Sequence, residues 1–199
     1  MFENIFEFIW LTGFVTGSVI RAIHRRKIRH SKITANHETR PDVLLLVLAG
    51  IGMIVIPLFY LLTPWLEFAD YYLPEWAGWI GTAIFVIALW LLWIAHSNLG
   101  HNWSAKLEIK EDHLLITKGV YRYIRHPMYA AHWLWGIAQI LLLKNWIAGL
   151  AFLVFFIPLY FLRVPREEQM MLEHFGEEYH SYRNRTGRII PHFLFQKQG

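Results

Sequence analysis

The sequence predicts an all-α integral membrane protein with about five transmembrane helices and a C-terminal cytoplasmic amphipathic helix. Hydrophobic residues make up 55% of the 199 residues and charged residues 17%, whereas soluble domains carry roughly 25% charged residues. Long apolar runs alternate with polar segments in which Lys and Arg concentrate. The chain has no cysteine, which excludes disulfides and thiolate sites. Its length predicts a single domain over residues 1–199.

Five apolar runs are the candidate transmembrane helices. A helix needs about 20 residues, with a range of about 17–25, to cross a bilayer core of roughly 30 Å. The last two runs are short, and only Lys144 and Asn145 separate them. We therefore expect a tight helical hairpin there, with a re-entrant hairpin as the alternative. The runs cover about residues 5–23, 43–62, 76–95, 129–143 and 146–162.

Glycine and proline mark special positions in the first two runs. Gly13 and Gly17 have GxxxG spacing, which allows close approach of another helix. Packing within the molecule is the preferred interpretation, and a dimer interface is the alternative. Pro41 is well placed to begin the second helix, and Pro57 is expected to kink it.

The segments between the runs differ in character. Residues 63–75 are aromatic and lack Lys and Arg, as is typical of a membrane interface. Residues 107–121, LEIKEDHLLITKGVY, alternate like a short extended segment. From Pro165 to Arg185 apolar residues recur at helical spacing, so we predict a cytoplasmic helix beginning at Pro165.

The basic residues predict the orientation. Every Lys and Arg except Lys144 falls in the first loop, in the loop between the third and fourth runs, or after the fifth run. Because Lys and Arg favour short cytoplasmic loops, the N-terminus is expected outside and the C-terminus in the cytoplasm. The same distribution accounts for the net charge of +4 without nucleic acid, and the first loop is expected to contact anionic membrane lipid.

Two polar stretches flank the predicted hairpin, and the fold should bring them together. Residues 113–129 read HLLITKGVYRYIRHPMY, and residues 163–182 read RVPREEQMMLEHFGEEYHSY. Five of the eleven histidines could suggest a metal site, but no HExxH or matched ligand spacing accompanies them, so no metal is expected; they are His96, His101, His113, His126 and His132. No GxGxxG follows a strand, which argues against a soluble dinucleotide-type domain.

The joint occurrence of RHPMY, an Arg–EE cluster and FGEEYHSYRNRTGRIIP resembles the isoprenylcysteine carboxyl methyltransferase family over about residues 100–191. The resemblance implies an integral-membrane enzyme that converts S-adenosylmethionine to S-adenosylhomocysteine. Its acceptor would be a carboxylate at the cytoplasmic membrane face, namely the C-terminal carboxyl of a prenylated cysteine or a similar lipophilic group. Phospholipid N-methyltransferases and some membrane sterol reductases carry similar patterns, so a lipid amine methyltransferase and a reductase stay open as alternatives.

The resemblance also implies roles for individual residues. Arg163 matches a residue assigned to substrate and would hold the acceptor carboxylate. Glu167 matches a cofactor-contacting carboxylate and is preferred to Glu168, because four residues separate it from Arg163 on a continuous helix. The other implied cofactor contacts are His113, Leu114, Leu115, Ile116, Tyr121, His126, Pro127, Met128 and Tyr129.

The chemistry of these residues suits the cofactor independently. A carboxylate can pair with its ammonium group, a cation can bind its carboxylate, and an aromatic face can lie near its sulfonium. Three cations, Arg122, Arg125 and His126, are candidates for the cofactor carboxylate, and the residues alone do not choose among them. Arg122 can instead anchor the helix at the interface, and His126 can cap it.

Overall fold

The computed structural model describes residues 4–25, 33–36, 39–100, 108–110 and 114–192. Its helices form a bundle, which confirms the predicted all-α membrane fold. A short ribbon, in which β1 (Ile33–Asn36) pairs antiparallel with β2 (Glu108–Lys110), joins two of the loops. The helices are α1 (Ile5–Arg25), α2 (Arg40–Gly50), α3 (Ile56–Leu62), α4 (Glu75–Leu99), α5 (Pro127–Leu143), α6 (Trp146–Phe175) and α7 (Glu177–Arg185).

The ribbon places two basic loops at the same end of the bundle. Strand β1 follows α1 and strand β2 follows α4, so their pairing requires both loops to lie on one side. The shared positive charge of these loops predicted that arrangement. Strand β2 also falls within residues 107–121, where the alternating pattern predicted an extended segment.

The GxxxG glycines of α1 pack inside the molecule. A Cβ at Gly13 would overlap the ring of Phe85 on α4, and a Cβ at Gly17 would overlap the ring of Trp135 on α5. The two glycines therefore let α1 approach both helices closely, as the preferred interpretation predicted. The Phe85 and Trp135 rings themselves meet edge to face at 4.8 Å and fill the space between the three helices.

Helices α2 and α3 are continuous through a π-helical turn at Ile51–Val55. The turn ends two residues before Pro57, whose missing N–H cannot complete a regular helical ladder. The kink expected at Pro57 stays a prediction. Gln139 of α5, which is fully buried, donates from Nε2 to the carbonyl of Gly52 (3.1 Å) and to that of Ala148 (2.7 Å). A buried amide thus holds α5 to the irregular helix and to α6.

Helix α5 connects the two ends of the bundle. At its start the N–H of His126 donates to the carbonyl of Arg188 (2.9 Å), and at its end the Lys144 carbonyl accepts from Tyr71 N–H (2.9 Å). Its 17 residues span about 26 Å, close to the thickness of the bilayer core. Four helical segments in the described residues are longer and apolar enough to cross a membrane: Ile5–Arg25, Arg40–Leu62, Glu75–Leu99 and Trp146–Phe175.

The C-terminal helices differ from the prediction. The expectation that a separate helix begins at Pro165 is wrong, because α6 runs without a break from Trp146 to Phe175 through two prolines. Each proline removes one hydrogen bond, and packing of the buried Val164 beside Pro165 holds the helix together. The break falls instead at Gly176, whose φ of +54° suits glycine, and α7 follows.

Asn145 fixes the turn between α5 and α6. Its Oδ1 accepts from the N–H groups of Ile147 (3.0 Å) and Ala148 (2.8 Å), which caps α6. Its Nδ2 donates to the Leu66 carbonyl (2.7 Å) and to Asp70 Oδ1 (2.6 Å) in the preceding loop. Because Asn145 is fully buried, these four hydrogen bonds have no water to replace them.

We expect Asn145→Ala to destabilise the protein by about 3 kcal/mol, since it removes a helix cap and leaves buried polar groups unpaired. Thermal unfolding in a neutral detergent measures the loss. The matched control is Asn184→Ala, which removes an exposed amide from α7 and is expected to change stability by less than about 0.5 kcal/mol. Equal melting temperatures for the two variants would contradict this account.

Candidate active site

The chain before α5 is held by the chain after α7. The N–H of Arg125 donates to the carbonyl of Gly187 (2.9 Å), and the N–H of His126 donates to the carbonyl of Arg188 (2.9 Å). Ile124 and Gly187 form an isolated parallel bridge. The RHPMY stretch therefore has its backbone fixed before α5 begins at Pro127.

The GVY turn is fixed from two sides. Gly119 has a φ of +63°, and the N–H of the next residue donates to Asn98 Oδ1 of α4 (2.9 Å). Tyr121 is buried, and its carbonyl accepts from the hydroxyl of Tyr182 on α7 (2.7 Å). Burial, together with the charge of Glu167, raises the pKa of the Tyr121 hydroxyl well above its usual range. Tyr121 therefore stays neutral and lies close to Glu167.

A buried carboxylate, Glu168, joins the two polar stretches. Only 6% of its side chain is exposed. Its Oε1 accepts from Arg125 Nε (3.1 Å) and from His126 Nε2 (3.2 Å). Arg188 donates twice, from Nη2 to Oε2 (2.8 Å) and from Nε to Oε1 (3.2 Å), and this pairing raises the pKa of Arg188. We call Arg125, His126, Glu168 and Arg188 the Glu168 cluster.

The Glu168 cluster is saturated by protein groups. Arg125 also donates from Nη1 to the carbonyls of Arg183 (3.0 Å) and Thr186. Its guanidinium therefore connects the start of α5 to both α6 and the end of α7. Because Glu168 has four charge-assisted hydrogen bonds, its role is structural.

Glu167, the neighbouring carboxylate, faces a different environment. Its side chain is 32% exposed, its Oε2 accepts from the Tyr129 hydroxyl (3.0 Å), and its Oε1 lies 3.8 Å from His126 Nδ1. Arg163 is buried and also hydrogen-bonds with Tyr129. The Tyr129 hydroxyl thus stands between a carboxylate and a guanidinium. One turn of the unbroken α6 separates the two charged residues, as their spacing predicted.

Aromatic rings close the site toward the membrane core. The Tyr129 ring lies 5.8 Å from the Tyr160 ring, edge to face, and 6.3 Å from the Phe156 ring. The His126 ring meets Tyr129 edge to face at 5.6 Å. The charged groups of Glu167 and Arg163 therefore border an aromatic wall.

Asp42, which the sequence did not single out, ties α2 to this region. It is almost fully buried, accepts from the N–H of Thr39 (3.0 Å), and pairs with Arg166 Nη1 through both oxygens (3.1 Å each). Arg163 also acts electrostatically on Asp42. Arg166 thus pairs with Asp42 on α2 and not with the neighbouring Glu168. The pairing holds the α6 segment that carries Arg163 and Glu167.

The structure brings together many, but not all, of the predicted site residues. His126 occupies the N-cap position of α5, but its ring turns to Glu168 and makes no capping hydrogen bond. Arg122 is exposed, in keeping with an anchoring role. His113 lies outside the described residues, and cofactor contact by Leu114, Leu115 and Ile116 stays a prediction. The predicted residues that share this region are Tyr121, His126, Pro127, Met128, Tyr129, Arg163 and Glu167.

Within the part of the chain that the structure describes, no three His, Asp or Glu side chains gather in an arrangement that could hold a metal ion.

The main residues that sequence reasoning missed are Asp42 and Arg188. Arg188 belongs to the quoted TGRIIP stretch, so the motif contained the signal, but only the fold reveals its partner.

Replacing Glu168 with Gln should destabilise the protein by about 3 kcal/mol, because it leaves Arg125 and its neighbours without the buried counter-charge. Glu167→Gln is the matched variant one residue away, and we expect a loss below about 1 kcal/mol because Glu167 is partly exposed. Thermal unfolding of both variants in detergent compares them. A larger loss for Glu167→Gln would refute the structural role of Glu168.

Comparison with known proteins agrees with the motifs. The model of the isoprenylcysteine carboxyl methyltransferase (ICMT) family matches residues 79–173, which include RHPMY and the Arg163–Glu168 segment. The match begins within α4, earlier than the motifs indicated, and ends before the FGEEY stretch. A protein-S-isoprenylcysteine O-methyltransferase of Dictyostelium discoideum is 24% identical, with coverage of 94% of this chain and 72% of the relative.

Other relatives match over shorter regions. The Schizosaccharomyces pombe protein-S-isoprenylcysteine O-methyltransferase is 35% identical over 41% of this chain and 34% of its own length, and the Homo sapiens protein is 30% identical over 65% and 49%. This chain thus spans half or less of those two relatives. A solved structure of a eukaryotic intramembrane Ras methyltransferase, ICMT, is 26% identical over 82% of this chain and 56% of that one, with a TM-score of 0.49.

The family match and the relatives cover the hairpin that carries the candidate site. They confirm the resemblance that the motifs indicated: over this hairpin the chain is similar to the isoprenylcysteine carboxyl methyltransferase family.

Proposed function

We propose that this protein transfers a methyl group from S-adenosylmethionine to the carboxylate of a lipid-like acceptor. The observation that carries the proposal is that two adjacent acids, Glu167 and Glu168, lie in different environments. Both carboxylate oxygens of Glu168 accept hydrogen bonds from charged or basic side chains, whereas Glu167 is partly exposed beside Tyr129 and Arg163. The names of the relatives support a prenylated cysteine carboxyl as the acceptor class. The membrane bundle and the site would act as one domain.

The residues fit the cofactor that the family implies. Glu167 offers a carboxylate for the ammonium group, at a position that solvent can reach. The Tyr129 ring offers a face for the sulfonium, a cation–π contact worth roughly 0.5–2 kcal/mol. Tyr121, neutral and close to Glu167, would complete the wall of the site. S-adenosylmethionine, when bound, supplies an electrophilic methyl group and is left as S-adenosylhomocysteine.

The protein's contribution is alignment and not proton transfer. A carboxylate acceptor is ionised at neutral pH, because terminal carboxyl pKa values lie near 3.3–3.7, so it needs no general base. Arg163 would bind and orient the acceptor carboxylate, while the Tyr129 hydroxyl keeps the guanidinium in place. The fixed charge of Arg163 would repel a protonated amine, which favours the carboxylate over the amine alternative. The aromatic wall would exclude water.

The orientation in the membrane is part of the proposal. The candidate site lies at the end of the bundle where the β1–β2 ribbon joins two basic loops. Lys144, the one Lys or Arg outside those basic regions, lies at the other end. This asymmetry supports a cytoplasmic site and C-terminus and an external N-terminus.

Binding of S-adenosylhomocysteine in detergent, measured by calorimetry, tests the cofactor. We expect the full chain to bind S-adenosylhomocysteine. For Glu167→Gln the dissociation constant should be at least tenfold larger, since the ammonium group loses its ion-pair partner. Glu177→Gln, which alters a fully exposed acid at the start of α7, serves as the control. Absence of binding by a well-folded sample would overturn the proposed function.

Methyl transfer to a farnesylated cysteine derivative tests Arg163. We expect Arg163→Ala to lower kcat/KM by about 10- to 100-fold, because a hydrogen bond to a charged group contributes about 1.5–3 kcal/mol. The affinity for S-adenosylhomocysteine should remain, which separates acceptor binding from misfolding. Arg185→Ala, which removes an exposed arginine of α7, should leave turnover intact. Unchanged turnover and acceptor KM in Arg163→Ala would rule out this role.

A further inference from the structure

A second polar group lies among α1, α4 and α5, away from the Glu168 cluster. It contains three histidines that share one hydrogen-bonding arrangement. In each, Nδ1 lies within hydrogen-bond distance of the carbonyl four residues earlier, so it carries the proton. With Nδ1 as the donor, Nε2 of each ring is left to face the other residues of the group. The pairs are His24 with Ile20 (2.9 Å), His96 with Leu92 (2.8 Å) and His132 with Met128 (2.6 Å).

Arg21 is the permanent charge of this group. Its Nη2 donates to His132 Nε2, and its charge also acts on His96. The Ser97 hydroxyl donates to His24 Nε2 (3.2 Å), and the rings of His24 and His96 lie 5.4 Å apart. We call Arg21, His24, His96, Ser97 and His132 the Arg21 cluster.

The cluster lies at the predicted membrane boundary: Arg21 and His132 fall just inside the first and fourth predicted spans, whereas His24, His96 and Ser97 fall just beyond the ends of the first and third spans. Arg21 precedes the end of α1 by four residues, His96 precedes the end of α4 by three, and His132 follows the start of α5 by five. At 1.5 Å per residue, these positions are about 5–8 Å from the helix ends on the side of the candidate active site.

The charge of Arg21 has no counter-charge among the residues that the structure describes. Its described hydrogen-bond partner is a neutral imidazole, which takes one of the five guanidinium N–H donors. At the edge of the hydrocarbon, a guanidinium attracts the anionic head groups of lipids. Because the His132 ring accepts from this guanidinium, that ring is neutral and leaves the charge of Arg21 unbalanced.

We propose that the Arg21 cluster binds the monoanionic head group of a lipid-like molecule, a carboxylate or a phosphodiester. The free donors of Arg21 would bind two oxygens side by side, and the Arg21–His132 hydrogen bond fixes the guanidinium for that purpose. Apolar residues on the same helix, Val19 and Ile23, are exposed and would line the path of the hydrocarbon chain. The molecule would be either the methyl acceptor or an anionic lipid of the membrane.

The cluster is close enough to the candidate active site to serve it. The His132 ring lies 5.8 Å from the Phe156 ring, and the Phe156 ring lies 6.3 Å from the Tyr129 ring. A carboxylate at Arg21 would therefore be separated from Tyr129 by a single aromatic layer. Binding at the cluster does not depend on methyl transfer, and it can be measured without the methyl donor.

The test measures the melting temperature of the full chain in a neutral detergent during titration with oleate or with phosphatidylglycerol. We expect the wild type to be stabilised saturably by at least one of the two. Arg21→Gln should raise the half-saturating concentration at least tenfold. Arg25→Gln makes the same change at an exposed position at the end of α1 and should leave the half-saturating concentration unchanged.

Each outcome decides a point. Saturation by oleate alone indicates an acceptor-type carboxylate, and saturation by phosphatidylglycerol alone indicates a membrane lipid. No saturable stabilisation of the wild type, or the same midpoint in Arg21→Gln, overturns the proposal. If Arg21→Gln fails to fold, Arg21→Lys keeps the charge but loses the forked donors, and a midpoint equal to that of the wild type then overturns it. Binding of S-adenosylhomocysteine by the same samples shows separately whether the proposed function stands.

Discussion

The buried carboxylate of Glu168 is the interaction on which the candidate site depends. It lies on α6 but accepts hydrogen bonds from two residues before α5 and from Arg188 after α7. Three distant stretches of chain therefore meet at one pair of oxygens. A charge buried this deeply is stable only when all its partners are in place, so the site assembles as a unit. Because Arg125 also donates to the carbonyl of Arg183, the tail that covers the site belongs to the same unit.

Two adjacent glutamates on one helix lie in different environments because successive helical residues point about 100° apart. That rotation directs Glu168 into the protein and leaves Glu167 facing Tyr129 and partial solvent. The unbroken path of α6 past Pro165 is essential, since a helix that began there would have lost the phase between Arg163 and Glu167. Packing within the bundle keeps α6 helical at Pro165, where proline disfavours a helix interior.

Hydropathy and charge predicted the membrane class, the positions of the apolar helices and the side on which the basic loops meet. Short motifs predicted that the ends of the hairpin converge, since RHPMY and the EE pair carry that information locally. Asn145 and Asp42 could not be found this way, because a polar residue in a turn or at a helix start has the same local signature whether or not it is buried. Arg21 was counted as a loop cation, and only its distant partner, His132, distinguishes it from one.

The 30 residues of α6 span about 45 Å, which exceeds a bilayer core of roughly 30 Å by about three turns. The residues beyond that length continue as regular helix up to Phe175. The positions of Arg163 and Glu167 along α6, and the directions in which they point, are therefore set by the number of residues from the cap at Asn145. A single inserted residue within that interval would turn both side chains by about 100° together, while leaving their spacing to each other intact. Such a protein could keep a well-formed pair of charges and present it to the wrong neighbours.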